Sequence, residues 1–283
     1  MGANNHHMLN RLFTRNTLSD FLKLKKSDIY TKSAKTYINN THLPNRTLLR
    51  EIYQYMFKHH RNEYIYKNTL LNKLLLGRHS LNTTTALTEV PVGKSKADFI
   101  LINGSAIVYE IKTELDTLDR LNGQLENYYK VFDKVCVITS PSNYEKVRAM
   151  LDNSNVGICI LTNRNTISTK REPVSDTSKL DLEAMFKILR KEEFENIIKS
   201  YYGDLPQVKQ VEHFKVCLNF FKNIDLDSAY KYMLAELKKR KKIQDNYFKD
   251  RVPYEIKFLV YFSDFKERDY EKLEQFLDKN FGG

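Results

Sequence analysis

The sequence predicts an α/β fold with a mixed sheet, followed by a mainly helical C-terminal region. Three observations predict it. Asn103-Gly104 separates two apolar runs, ADFILI and SAIVYEIK, and both turn residues tolerate positive φ, so the runs read as a β-hairpin. Two more apolar runs, KVCVIT from Lys134 and VGICIL from Val156, alternate with helical stretches, which calls for parallel pairing. Residues 180–283 look almost wholly helical and carry mixed charge.

In chain order, residues 8–40 are helical and basic, with Leu9, Leu12, Phe13, Leu18 and Phe21 as apolar points. They suit either a phosphate-contacting arm or helices packed on a core. Leu43-Pro44-Asn45 breaks the pattern, setting off a basic helical segment over 1–44. A helix is expected from Thr47 to His60, where Leu48, Ile52, Tyr55 and Met56 form one stripe with Glu51 beside it. A second helix from Glu63 to Leu76 ends at Gly77. A strand follows from Thr84 to Val92, and Glu89 on it is expected to face solvent. Gly93-Lys94-Ser95 turns into the strand bearing Asp98.

After Lys112, Asp116 or Thr117 is expected to cap a helix on which Asp116, Arg120, Gln124 and Tyr128 recur every four residues and share a face. Ser140-Pro141 opens a helix to Leu151. The polar stretch 162–179, with Pro173, reads as a boundary between a domain over 45–165 and a helical domain over 175–283. The basic run Lys238–Lys242 reads best as a solvated helix end.

The net charge of +11 is unevenly spread. Residues 1–80 carry 14 Lys/Arg against 4 Asp/Glu, whereas residues 81–174 balance at 11 each. A basic segment beside an acidic site is what a phosphodiester substrate needs. The three cysteines, Cys136, Cys159 and Cys217, lack metal-ligand spacing and fit buried thiols in a reducing compartment. No apolar run approaches a membrane span, and the N-terminus lacks a signal-peptide core, so a cytoplasmic location with no membrane partner is expected.

The hairpin carries the chemistry. Strand side chains alternate, so Glu110 and Lys112 share a face, and pairing brings Asp98 close to Glu110. Two hard oxygen donors suit Mg²⁺, and the lysine offsets negative charge or orients a water or phosphate oxygen.

Asp98, then Glu110-Ile111-Lys112 at a strand end, then Gln124-Leu-Glu-Asn-Tyr128 on a helix resembles the PD-(D/E)XK nuclease superfamily in its RecB-like branch. The run Lys96-Ala97-Asp98, Glu110-Ile111-Lys112, Asp116, Arg120-Leu121, Gln124, Tyr128 and Phe132-Asp133 is similar to small nuclease-like proteins carried on mobile elements. The resemblance covers residues 45 to 162 and not the C-terminal third. It implies a restriction-endonuclease-like αβββαβ core and a Mg²⁺-dependent nuclease, with Mn²⁺ as a substitute, acting on nucleic acid, DNA ahead of RNA. Asp98, Glu110, the Ile111 carbonyl and Glu51, as a third acid from the preceding helix, would hold the metal. Lys112, Gln124 and Tyr128 would complete the catalytic set, and Arg120 and Lys96 would contact nucleic acid. Two other readings stand beside this one. One is a non-cleaving binding or regulatory module on the same fold. The other is a helical interaction protein whose C-terminal helices dock a partner or a second copy.

Overall fold

The computed structural model describes residues 6–240, 243 and 245–282. Lys241 and Lys242 of the basic run lie outside the described residues. Six strands form one mixed sheet in sequence order: β1 (Thr85–Val92), β2 (Ser95–Asn103), β3 (Ser105–Lys112), β4 (Val135–Thr139), β5 (Gly157–Leu161) and β6 (Ile167–Arg171). The first two pairings are antiparallel, β3–β4–β5 is parallel, and β6 returns antiparallel. Gly104, at φ 70°, sits at the tip of the expected hairpin. Strand β6 falls inside the polar stretch read as a boundary. It is an edge strand, and its partly exposed ISTKR sequence gives little apolar signal.

Helices cover both faces. Before the sheet come α1 (His6–Leu12), α2 (Arg15–Leu22), α3 (Asp28–Tyr37), α4 (Asn45–His59) and α5 (Glu63–Leu70). The last continues through a π-helical turn, Leu71–Leu75, into α6 (Leu76–Arg78). Between strands lie α7 (Leu121–Tyr129) and α8 (Tyr144–Met150). After the sheet come α9 (Leu182–Ile188), α10 (Lys191–Tyr202), α11 (Gln210–Lys222), α12 (Leu226–Lys238), α13 (Asp245–Arg251), α14 (Lys257–Tyr261) and α15 (Glu267–Asp278).

Two cores result. On one sheet face, Phe99, Leu101, Tyr109 and Ile111 pack with α1–α5 and with Phe248 to Phe281 from the far end of the chain. On the other face, Ile100, Ile102, Val108 and Val137 pack with α7 and with Met185 to Leu237. Among the described residues, the helices beyond residue 175 therefore contribute to both of these cores. The break at Pro44 is clamped by the chain's end: Asn45 Nδ2 donates to the Phe276 carbonyl at 2.9 Å, and the Phe281 N–H donates to the Leu43 carbonyl at 3.0 Å. Leu9, Leu12, Leu18 and Phe21 are buried, so the basic N-terminal helices are packed on the core and do not form a free arm.

Candidate functional site

The site is built where the alternation of β1 and β2 breaks. Leu87 and Val90 both face the second core although they are three residues apart, and so do Ala97 and Ile100. Strict alternation would put each pair on opposite faces. The break falls on facing residues. The ladder pairs Thr88 with Phe99 and Val90 with Ala97, and Glu89 and Asp98 lie opposite each other in the gap. Glu89 has φ 55°, the left-handed region that an L side chain avoids at a cost of about 1–3 kcal/mol. The surroundings must hold it there, and the kink aims two carboxylates at one spot.

A third carboxylate arrives from α5. Oxygens of Glu63, Glu89 and Asp98 lie within 4.8 Å of one another. Lys67, one helical turn after Glu63, is 7% exposed, and its Nζ contacts both Glu63 Oε1 and Glu89 Oε1. Lys96 Nζ reaches Glu89 Oε2 at 3.0 Å. Burial alone would lower the Lys67 pKa, but Glu63 and Glu89 outweigh it and lift the ammonium above its ordinary value. Burial would likewise raise Glu89, yet Lys67 and Lys96 hold it below the usual carboxylate range.

Asp98 behaves oppositely. Burial, then the neighbouring Glu110 charge, push it up to about 8, against the partial relief of the Ile111 N–H that donates to its Oδ2 at 2.8 Å. The ladder step from Phe99–Tyr109 places Asp98 opposite Glu110, as the hairpin predicts. Glu110 is 1% exposed and fully engaged. Its Oε1 accepts from Lys112 Nζ at 2.9 Å, and its Oε2 lies 2.7 Å from Tyr128 Oη. Lys112 Nζ also donates to Gln124 Oε1 at 2.8 Å. Tyr128 Oη stands 2.9 Å from the Lys96 carbonyl as well, so one phenolic proton serves two acceptors. Burial and Glu110 keep that phenol well above its ordinary pKa.

Asp98, Glu110, Lys112, Gln124 and Tyr128 thus converge as the sequence expects, and Ile111 joins through its N–H. Glu51 does not join the acidic cluster. It lies half-buried on α4, whereas the helical acid is Glu63 on α5. An acid on a helix before the sheet is found, one helix later than expected. Glu63 and Lys67 form an i,i+4 pair of the kind common on any solvated helix, so local pattern does not single them out. Glu89 stays exposed, as expected, but its φ of 55° brings its carboxylate to Asp98 and Lys67, a backbone kink that no local pattern announces.

The helical polar stripe is shorter than expected. α7 begins at Leu121, and Asp116 lies before it in a loop, accepting from the Thr113 N–H at 2.8 Å. Arg120 is the residue before the helix. With Lys94, Lys96, Asp119, Gln124 and Asn127 it lines a cleft of about 630 Å³ between the β1–β2 turn and α7. Glu114 has left the sheet to pair with Arg61 and Tyr66.

The donor set is of the type that hard divalent cations take. The clustered groups are hard carboxylate oxygens, two exposed and one half-buried, with no thiolate or imidazole among them. Fold and site together define a mixed α/β protein with a carboxylate–lysine cluster at the base of a kinked hairpin.

The chain belongs to the family described as bacteriophage P4 protein cII, whose model matches residues 56–259. Protein cII of Enterobacteria phage P4 is 32% identical over 88 residues, which cover 30% of this chain and 33% of that relative. The chain therefore spans about a third of the length of the curated relative it matches. No solved structure matches the chain. Among the described residues, no helix is long and apolar enough to cross a membrane.

Proposed function

We propose that the chain is a metal-dependent nuclease acting on nucleic acid, DNA ahead of RNA. The observation that carries the reading is the convergence of Glu63, Glu89 and Asp98 within 4.8 Å, beside a Glu110–Lys112 pair oriented by Gln124 and Tyr128. Asp98, Glu63 and Glu89 would hold Mg²⁺ or Mn²⁺, with Glu110 behind them. The ion supplies a Lewis acid that lowers the pKa of a water and offsets phosphate charge. Lys112 uses two of its three ammonium donors on Glu110 and Gln124, which leaves one to orient the attacking water or the scissile phosphate. Arg120, Lys94 and Lys96 offer cations along the neighbouring cleft for backbone phosphates. The phage origin of the matched relative agrees with a chain carried on a mobile element.

A second reading has its own observation. Lys67 already places an ammonium between Glu63 and Glu89, which satisfies those acids without a metal. A module that binds nucleic acid without cutting it would keep such a network.

Cleavage of circular and linear DNA with Mg²⁺, Mn²⁺ or EDTA separates the two, run beside Asp98→Asn and Glu63→Gln. Metal-dependent cutting that both substitutions abolish is the expected result. Binding without cutting by folded protein would replace the nuclease reading with the second one.

A further inference from the structure

A second cleft, of about 390 Å³, opens directly beside Glu63 and Lys67. Its volume is within the range of small-ligand pockets. Its floor is aromatic: Phe13 stacks on Tyr64 at 4.7 Å between ring centroids, and Phe258 meets Tyr64 edge-on at 5.9 Å. Its rim is amide. Asn62 Nδ2 donates to Asn10 Oδ1 at 2.9 Å, and the His60 ring nitrogen lies 2.8 Å from that same oxygen. Asn10 thus commits its carbonyl oxygen, and its amide nitrogen keeps two donors with no partner among the described residues. A flat ligand with apolar faces and acceptor edges suits this combination.

Leu115, 62% exposed, separates this cleft from a smaller one of about 170 Å³ lined by Lys58, His59, His60, Arg61 and Glu114, whose carboxylate pairs with Arg61. An aromatic-floored slot with Lys58 beside it, across one exposed side chain, suits a nucleotide, with its base in the slot and its phosphate at Lys58. A base inside a duplex cannot enter such a slot, because its faces are stacked and its edge is paired.

We propose that this cleft seats one unstacked nucleobase, so that single-stranded nucleic acid is what reaches the acid cluster. The inference rests on the nuclease reading for the purpose of the acids, but its test reads binding in EDTA and needs no cutting. The test uses the full chain and fluorescence anisotropy with three labelled probes. These are single-stranded oligothymidine of about a dozen nucleotides, an abasic oligonucleotide of equal length, and a blunt duplex. Oligothymidine is expected to bind roughly five- to hundredfold tighter than the abasic strand, since both carry the same phosphates and only one carries bases. It is also expected to bind tighter than the duplex.

Asn10→Trp, at an exposed position on the rim, is expected to fill the slot and remove the preference for bases. Equal affinity for the thymidine and abasic strands would overturn the proposal, and so would an Asn10→Trp variant that keeps the preference. Duplex cutting without a single-strand preference would overturn it and leave the nuclease reading standing. Base-dependent binding without any cutting would uphold the slot and remove the nuclease reading.

Discussion

Asp98→Asn gives the sharpest reading of the acid cluster. Asp98 titrates near 8 in the folded protein and near 3.8 when its surroundings are lost. Between those values the native state holds a proton that the unfolded chain has released. The native state then binds more protons, so stability falls as pH rises, by about 1.4 kcal/mol per pH unit for one proton. From about pH 5 to about pH 7.5 that amounts to roughly 3 kcal/mol as an upper bound. Below the ordinary carboxylate range and above about pH 8, Asp98 contributes no slope. The asparagine variant keeps an acceptor for the Ile111 N–H but cannot titrate. The comparison is urea unfolding of both proteins in EDTA at the two pH values. The wild type should lose up to about 3 kcal/mol relative to the variant. Saturating Mg²⁺ should shrink the difference, because a cation favours the ionised carboxylate. Parallel pH profiles in EDTA would refute the claim that Asp98 is held protonated by burial and Glu110.

Other predictions concern the frame around the site. Lys112→Ala strands Glu110 at 1% exposure without its cation and should cost about 3–5 kcal/mol by chemical denaturation. The double variant Glu110→Gln/Lys112→Met should recover most of that loss, and no recovery would show that the two do not act as a pair. Gly157→Ala brings a Cβ to 2.7 Å from the Pro173 backbone nitrogen, so thermal unfolding should report a loss of about 1–3 kcal/mol. A chain ending at residue 175 should fail to give a cooperative melt, because both cores lose residues. A soluble, cooperatively folding truncation would show that the sheet domain is autonomous.

The legible parts of the fold were those carried by local pattern. Asn103-Gly104 announced the hairpin, and the apolar runs at Val135–Thr139 and Gly157–Leu161 announced buried parallel strands. Strand β6 is an edge strand whose residues are mostly half-exposed, so its apolar signal is faint. The packing of the C-terminal helices was hidden for another reason. Their apolar faces are visible in sequence, but which surface each one covers is a long-range matter, and α15 closes on α2 and α4 from the opposite end of the chain. At the site, Asp98, Glu110, Lys112, Gln124 and Tyr128 were readable because strand alternation and one helical turn fix their relative positions. Glu63, Lys67 and Glu89 were not, since their convergence depends on a backbone kink and on the docking angle of α5.

Charge balance explains why lysines and acids are interleaved there. The cluster holds four carboxyl groups, Glu63, Glu89, Asp98 and Glu110, and three ammonium groups, Lys67, Lys96 and Lys112. With Asp98 protonated at neutral pH, three negative charges face three positive ones, and the chain can hold these groups together without an ion. If a divalent cation enters and Asp98 releases its proton, the same set carries one excess positive charge. That is the sign needed to draw in a phosphodiester, whose own charge would then neutralise the site. An isosteric Lys67→Met variant removes one ammonium where Glu63 and Glu89 need it. It should tighten Mg²⁺ binding measured by calorimetry while lowering stability in EDTA. Unchanged metal affinity in that variant would place the ion away from Glu63 and Glu89.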